Sequence, residues 1–299
     1  MNNAIELTNV TKQFGNQTAV DNLSLAVPNG SIYGFIGPNG SGKTTTLRMI
    51  LRIIQPETGT VSVLGQTTGK TADDRLGYLP EERGLYKKMR VRSLLTYYSR
   101  LKGFYDCQTA IDEWLIRLDA IEWANKRIDA LSKGMAQKIQ FITAVVARPQ
   151  LVILDEPFSG LDPVNLEVLR DAVLWLRDQG TTVVFSTHDM SVAEKMCDTI
   201  FMIFEGRKVL DGSLSSIQAG FPANRLRFGF VDDQRVPEIK LLTNVERTGA
   251  EFVAQMEPED SQNVLKQLVD HAPVSHFEII KPTLHEIFVQ IAKPTDASK

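Results

Sequence analysis

The sequence predicts an α/β fold: a doubly wound P-loop core with an inserted helical lobe, followed by a small C-terminal α/β domain. Three observations predict it. Residues 37–45 read Gly37-Pro38-Asn39-Gly40-Ser41-Gly42-Lys43-Thr44-Thr45, the Gly-x-x-x-x-Gly-Lys-[Ser/Thr] spacing of a phosphate-binding loop. A β-prone run (Ser31 to Ile36) precedes the loop, and a helical apolar period (Leu47, Ile50, Leu51, Ile54) follows it, predicting a helix from Thr44 to Ile54. Further on, apolar runs of buried-strand type alternate with helical stretches, the pattern of a parallel sheet covered on both faces.

The order strand, glycine loop, helix dictates the chemistry. It leaves backbone N–H groups and a helix N-terminus facing an anion. Gly40 and Gly42 let the chain curl closely around phosphate. Lys43 is placed to reach the β- and γ-phosphates, and the Thr44 hydroxyl to ligate Mg²⁺. A nucleotide and Mg²⁺ are the expected ligands.

Composition bounds the remainder. The chain has 299 residues, with 33 Lys and Arg against 36 Asp and Glu. It has ample core for one large or two smaller domains. The net charge of −3 gives no global basic field, so no nucleic-acid partner is expected. Cys107 and Cys197 lie far apart and form no metal or redox spacing, which suits a reducing compartment. The start, Met1 to Glu6, lacks signal-peptide character. No apolar run approaches the ~18 residues needed to span a bilayer. A cytosolic chain is expected, with any membrane role supplied by a partner.

In chain order, residues 4–11 alternate as a strand (Ile5, Leu7, Val10). Phe14, before the Gly15-Asn16 turn, is either an adenine-stacking aromatic or a core residue at a strand end. Val61 to Gly65 and Leu76 to Glu82 read as short strands, the second stopped by Pro80. About 88–148 is helical, with apolar periods at Leu94, Leu95 and Tyr98, then Ile111, Leu115 and Leu118, then Ile139, Ile142 and Val146. Leu151 to Leu154 is a buried-strand run ending in Asp155 and Glu156. At a parallel strand's carboxyl end, Asp155 becomes the second Mg²⁺ anchor beside Thr44, and Glu156 the residue that orients water toward the γ-phosphate. The plainer alternative is an acidic strand end capping the next helix. Pro163 to Gln179 is a helix and Thr182 to Ser186 a strand. His188 follows that strand at the edge where the two acids sit, which points to a γ-phosphate contact rather than a structural histidine. Residues 213–224 form a junction. Beyond it strands (226–231, 252–256, 277–280) alternate with helices (258–271, 282–292), and His271, His276 and His285 lack tight metal spacing. The tail from Pro294 to Lys299 is expected to fray.

Leu131-Ser132-Lys133-Gly134-Met135 adds a family to this reading. Together with the P-loop, Leu151 to Glu156, Ser159-Gly160-Leu161-Asp162 and His188, it resembles an ABC-transporter ATPase subunit over residues 4 to about 215. The resemblance implies an ABC ATPase domain over 1–215 and a small accessory domain over 216–299. It implies a head-to-tail dimer, with a second copy or a paralogous subunit, holding two ATP molecules. Ser132 and Gly134 of one subunit would then contact the γ-phosphate on the other's P-loop, and Ser159 to Asp162 would link the two sites. Phe14 matches the adenine-stacking aromatic. Lys133 and Met135 stand where that signature usually has glycine and glutamine, and Glu81 stands where a Mg²⁺-sensing glutamine is usual. These departures, and Pro282 to Phe288, resemble the sodium- and drug-efflux branch with its C-terminal domain. The implied partners are membrane-spanning permease subunits, which would hold the chain on the inner face of the cell membrane. The basic run Tyr86 to Arg92 is either a solvated face or part of the docking region beside lipid headgroups. A soluble ABC-type ATPase acting on nucleic acid or ribosomes fits less well. Only 89 positions separate Lys43 from Ser132, without heptad arms, and the chain has a single P-loop. A non-catalytic ATP-binding module is disfavoured by the intact set Lys43, Asp155, Glu156 and His188.

Overall fold

The computed structural model describes residues 3–67, 74–82, 84–232 and 237–292; the expected frayed tail lies outside them. The chain divides into two compact units, Met1–Leu214 and Ser215–Lys299.

The first unit opens with a long hairpin, β1 (Asn3–Phe14) and β2 (Gln17–Pro28). With β4 (Thr58–Val63), it forms an antiparallel sheet in the order β2-β1-β4. The sequence reading had no β2, and the reason is physical. Asn9 and Asn22 take positive φ values of 51° and 49°, and the β1–β2 register slips between Leu7 and Val10. Buried residues therefore run Val20, Leu23, Leu25, Val27 rather than in strict alternation.

The second sheet has six strands. β3 (Ile32–Ile36) is flanked by β7 (Thr182–Thr187) and β8 (Thr199–Phe204). β6 (Leu151–Asp155) and β5 (Leu76–Leu79) lie beyond β7, and β9 (Arg207–Gly212) pairs antiparallel with β8. β3, β6 and β7 are buried along their whole length. Their two faces feed two cores. Tyr33, Phe35, Ile153, Val184 and Phe201 pack toward the antiparallel sheet and the P-loop helix. Ile32, Val152, Leu154, Val183 and Phe185 join the core of the helical lobe. Burial on both sides is why these strands read as continuous apolar runs.

The P-loop helix α1 spans Lys43–Ile50, shorter than the expected stretch to Ile54. Leu51 caps it, and Arg52 at φ 58° ends it. Ile54, the last residue of the apolar period, packs against the core from beyond the helix end, while Ile53 is 59% exposed. The lobe contains α2 (Val91–Leu101), α3 (Gln108–Arg117) and α4 (Lys133–Val145), with two short 3₁₀ turns between α3 and α4. α5 (Pro163–Asp178) and α6 (Met190–Met196) complete the layers over the sheet. The end of α4 passes very close to β5: a Cβ at Gly77 would lie 2.1 Å from the Ala144 carbonyl oxygen. Overpacking of this kind costs about 1–3 kcal/mol. Gly77→Ala is therefore expected to lower the thermal unfolding midpoint by several degrees, read by calorimetry.

In the second unit, α7 (Leu214–Ala219) lies at the division. It is followed by β10 (Arg225–Phe230), β11 (Thr243–Thr248) and β12 (Glu251–Gln255). Helix α8 (Ser261–His271), β13 (Val274–Ile280) and α9 (Leu284–Ala292) complete it. The sheet order is β11-β12-β10-β13, all antiparallel. Phe228, Phe252, Val264 and Leu268 lie in its core. β11, absent from the sequence reading, is exposed at every position. Edge pairing, not burial, makes it a strand, so it carries no apolar period.

Candidate nucleotide site

The loop after β3 is shaped by contacts that exclude side chains. Gly42, the residue before α1, has φ 110°, and a Cβ there would lie 2.6 Å from the Ala19 carbonyl oxygen. The loop is tied down by Ser41 N–H donating to Pro38 O at 3.2 Å and Gly206 N–H to Ser41 O at 2.9 Å. Lys43 is 6% exposed, and its ammonium donates to the Gly37 and Pro38 carbonyls at 2.7 and 3.1 Å. Burial pulls the Lys43 pKa below the ordinary lysine value, opposed by the carboxylates of Glu156, Asp155 and Glu81. The buried Ser41 hydroxyl has no hydrogen-bond partner among the described residues, an orphaned polar atom in a loop otherwise built to face an anion.

Asp155 ends β6 at 2% exposure, opposite Ser186 in the parallel register. The Ser186 hydroxyl donates to the Asp155 carboxylate and accepts the Glu156 N–H at 3.0 Å. Glu156 leaves the strand at φ 50°. Its carboxylate, on a side chain 9% exposed, meets Nδ1 of the exposed His188 at 3.0 Å. Ser186 thus fixes both acids at once. Its only trace in the sequence is a hydroxyl at the end of an apolar strand.

A cleft of about 620 Å³ brings Phe14, Asn39, Gly40, Gly42, Lys43, Thr44, Thr45, Glu81 and Glu156 together. It adds residues the sequence reading did not single out: Gln17, Thr18 and Ala19 of β2, and Glu205 and Gly206 of the β8–β9 turn. Phe14 is not a core residue. Its ring is 52% exposed at this cleft, with the Lys12 ammonium 5.4 Å from its centroid. Thr44 and Glu81 at the cleft offer hard oxygens, the donor type Mg²⁺ takes. Asp155, next to Glu156, offers another but is buried and, like His188, is not among the lining residues.

Ser132, Gly134 and Asp162 are not among the residues lining this cleft. Ser132 caps α4 and accepts the Met135 N–H at 3.3 Å. Asp162 caps α5 and accepts the Asn165 N–H at 3.0 Å. Gly134 faces Asn165 and Leu161, and the Lys133 side chain lies against Gly160. These residues form a second cluster, with two helix N-termini side by side.

A sheet with a P-loop at one strand end and two acids at the next but one defines a nucleoside-triphosphate-hydrolysing P-loop protein. Comparisons with known proteins are more specific. A family model described as ABC transporter matches residues 20–159. A second, described as ATP-binding protein DrrA1-3-like, C-terminal domain, matches residues 212–292. The chain is 40% identical to the uncharacterized ABC transporter ATP-binding protein YhaQ of Bacillus subtilis, over 96% of this chain and 97% of that one. It is 35% identical to the Nod factor export ATP-binding protein I of Paraburkholderia xenovorans, over 72% of this chain and 73% of that one. A solved ATP-binding subunit of an ABC transporter superposes with a TM-score of 0.68 at 26% identity, covering 73% of this chain and 93% of that one. The chain belongs to the ABC transporter ATP-binding proteins, in the branch with a DrrA-like C-terminal domain. It is an ATPase subunit of an ABC transporter, a class that works with membrane permease components. Among the described residues no helix is long and apolar enough to cross a membrane.

Proposed function

We propose that this chain powers export by binding and hydrolysing Mg²⁺-ATP in a head-to-tail dimer attached to separate membrane permease subunits. The observation that carries the reading is the separation of two phosphate-seeking features. The cleft holds Lys43, Glu81 and Glu156, while the exposed α4 N-terminus with Ser132 lies outside it. A second subunit turned head to tail supplies the missing helix N-terminus to each cleft. The partner is a second copy or a paralogous ATPase. The Paraburkholderia relative is named for Nod factor export.

In this reading Lys43, the loop N–H groups and the start of α1 stabilise charge on the phosphates. Phe14 offers its exposed face to adenine. Glu156, oriented by Ser186 and paired with His188, holds the attacking water. Thr44, Asp155 and Glu81 hold the Mg²⁺, which neutralises phosphate charge when bound.

The permease docks, we propose, in an apolar groove of about 370 Å³ lined by Leu51, Ile53, Tyr98, Leu101 and Ala144, with Arg52 and Lys102 at its margin. Ile53 and Leu101 are 59% and 60% exposed, so the groove presents apolar surface that a helix of a membrane partner can cover. The run from Tyr86 adjoins α2 through the Tyr86–Tyr97 and Tyr86–Tyr98 ring contacts at 5.7 and 6.4 Å. This attachment places the chain on the inner face of the membrane. The test is Ile53→Asp and Leu101→Asp in the co-expressed transporter. Each is expected to lose co-purification of the permease while basal ATP hydrolysis by the isolated chain stays within about twofold, as for surface substitutions generally. Undiminished co-purification of both variants would overturn the groove assignment.

A further inference from the structure

Gln140 lies in the middle of α4, between the fully buried Ile139 and Phe141, and is itself 3% exposed. Its Nε2 donates to two backbone carbonyls, Pro80 O and Glu82 O, each at 3.3 Å. These two groups bracket Glu81. Both N–H hydrogens of the carboxamide are thereby used, across about sixty positions of sequence. A buried amide costs desolvation that an apolar side chain of the same size would avoid, so its presence here calls for a use. Three residues earlier on the helix, Gln137 does the same for the other acidic segment. Its Nε2 donates to Pro157 O at 2.9 Å, next to Glu156. Residues three apart share a helix face, so one face of α4 holds the backbone beside Glu81 and the backbone beside Glu156.

We propose that Gln140 is a positioning residue for Glu81. Its carboxamide fixes the segment from Pro80 to Glu82 so that the Glu81 carboxylate faces the Lys43–Thr44 end of the cleft. It thereby ties that carboxylate to α4, the helix whose N-terminus carries Ser132. This rests on the reading of Glu81 as a carboxylate on the metal side of the nucleotide. Glu81 attracts Mg²⁺ and repels the triphosphate. It therefore weakens metal-free nucleotide binding and raises the gain in affinity that Mg²⁺ brings.

The test is a titration of the full chain with a non-hydrolysable ATP analogue, in saturating Mg²⁺ and in chelator. The readout is the ratio of the two affinities. Glu81→Gln is expected to reduce the ratio. Gln140→Met, which keeps side-chain length and helix propensity, should reduce it in the same direction by about three- to tenfold, the usual effect of losing a buried hydrogen bond. The double variant should fall no further than Glu81→Gln alone, because a residue acting only through Glu81 has nothing left to position. Gln140→Asn withdraws the donor by one methylene and gives the same reading should the Met variant fail to fold. A full effect of Gln140→Met in the Glu81→Gln background, or none in the wild type, would overturn the positioning role. An unchanged ratio in Glu81→Gln would instead remove Glu81 from the metal side and the proposal with it.

Discussion

The Glu156→Gln chain is expected to bind ATP at near wild-type affinity and to hydrolyse it at least a hundredfold more slowly. The substitution keeps the volume of a side chain that is 9% exposed and leaves the loop around Lys43 untouched. The backbone at φ 50° is held by the Ser186 hydroxyl on the Glu156 N–H at 3.0 Å, a contact glutamine retains. What disappears is the carboxylate that faces His188 Nδ1 at 3.0 Å, the group able to accept a proton from water. A positioned general base contributes about 10²–10⁴ in rate, which sets the size of the loss. Phosphate release reads the turnover, and size exclusion with ATP should show a dimer that accumulates because hydrolysis no longer dissolves it. Turnover within a few-fold of wild type would remove Glu156 from the water-activating role.

The site was legible where local chemistry dictates local sequence. Gly40 and Gly42 of the P-loop take positive φ values of 78° and 110°, a backbone requirement local to the loop, so their spacing can be read without a fold. Asp155 and Glu156 were legible because two acids at the carboxyl end of a buried strand, with a P-loop upstream in the same sheet, weigh against a plain helix cap. Residues acting across the fold left weaker traces. Ser186 matters because parallel register sets it opposite Asp155, and Gln140 because α4 passes over the Pro80–Glu82 turn. No spacing rule links positions so far apart. Phe14 stood open between two readings on spacing alone; the family resemblance favoured adenine stacking, and its exposure at the cleft removes the core reading. In the fold, β2 escaped because Asn22 at φ 49° breaks its alternation. The extent of α1 was overread because the apolar period continued past Arg52 to Ile54, which packs against the same core from outside the helix.

Mixing Lys43→Ala with Ser132→Arg subunits is expected to restore hydrolysis that neither variant has alone. Lys43→Ala removes the buried ammonium from the cleft, and with it the charge that meets the terminal phosphates. Ser132→Arg leaves that cleft intact, since Ser132 is not among its lining residues. It does remove the hydroxyl that accepts the Met135 N–H, and it crowds the exposed α4 N-terminus. In a homodimer of either variant every composite site has one defective half. In a mixed dimer the P-loop of the Ser132→Arg subunit faces the unaltered α4 terminus of the Lys43→Ala subunit, and one site is whole. Equal mixing makes about half the dimers mixed, so hydrolysis should reach about a quarter of wild type if the two sites act independently. Distinguishable tags on the two subunits establish that mixed dimers form. Activity in the Ser132→Arg protein alone would show that one chain's cleft suffices. A mixture as inactive as its parents, with mixed dimers present, would place Ser132 outside the nucleotide site of the partner.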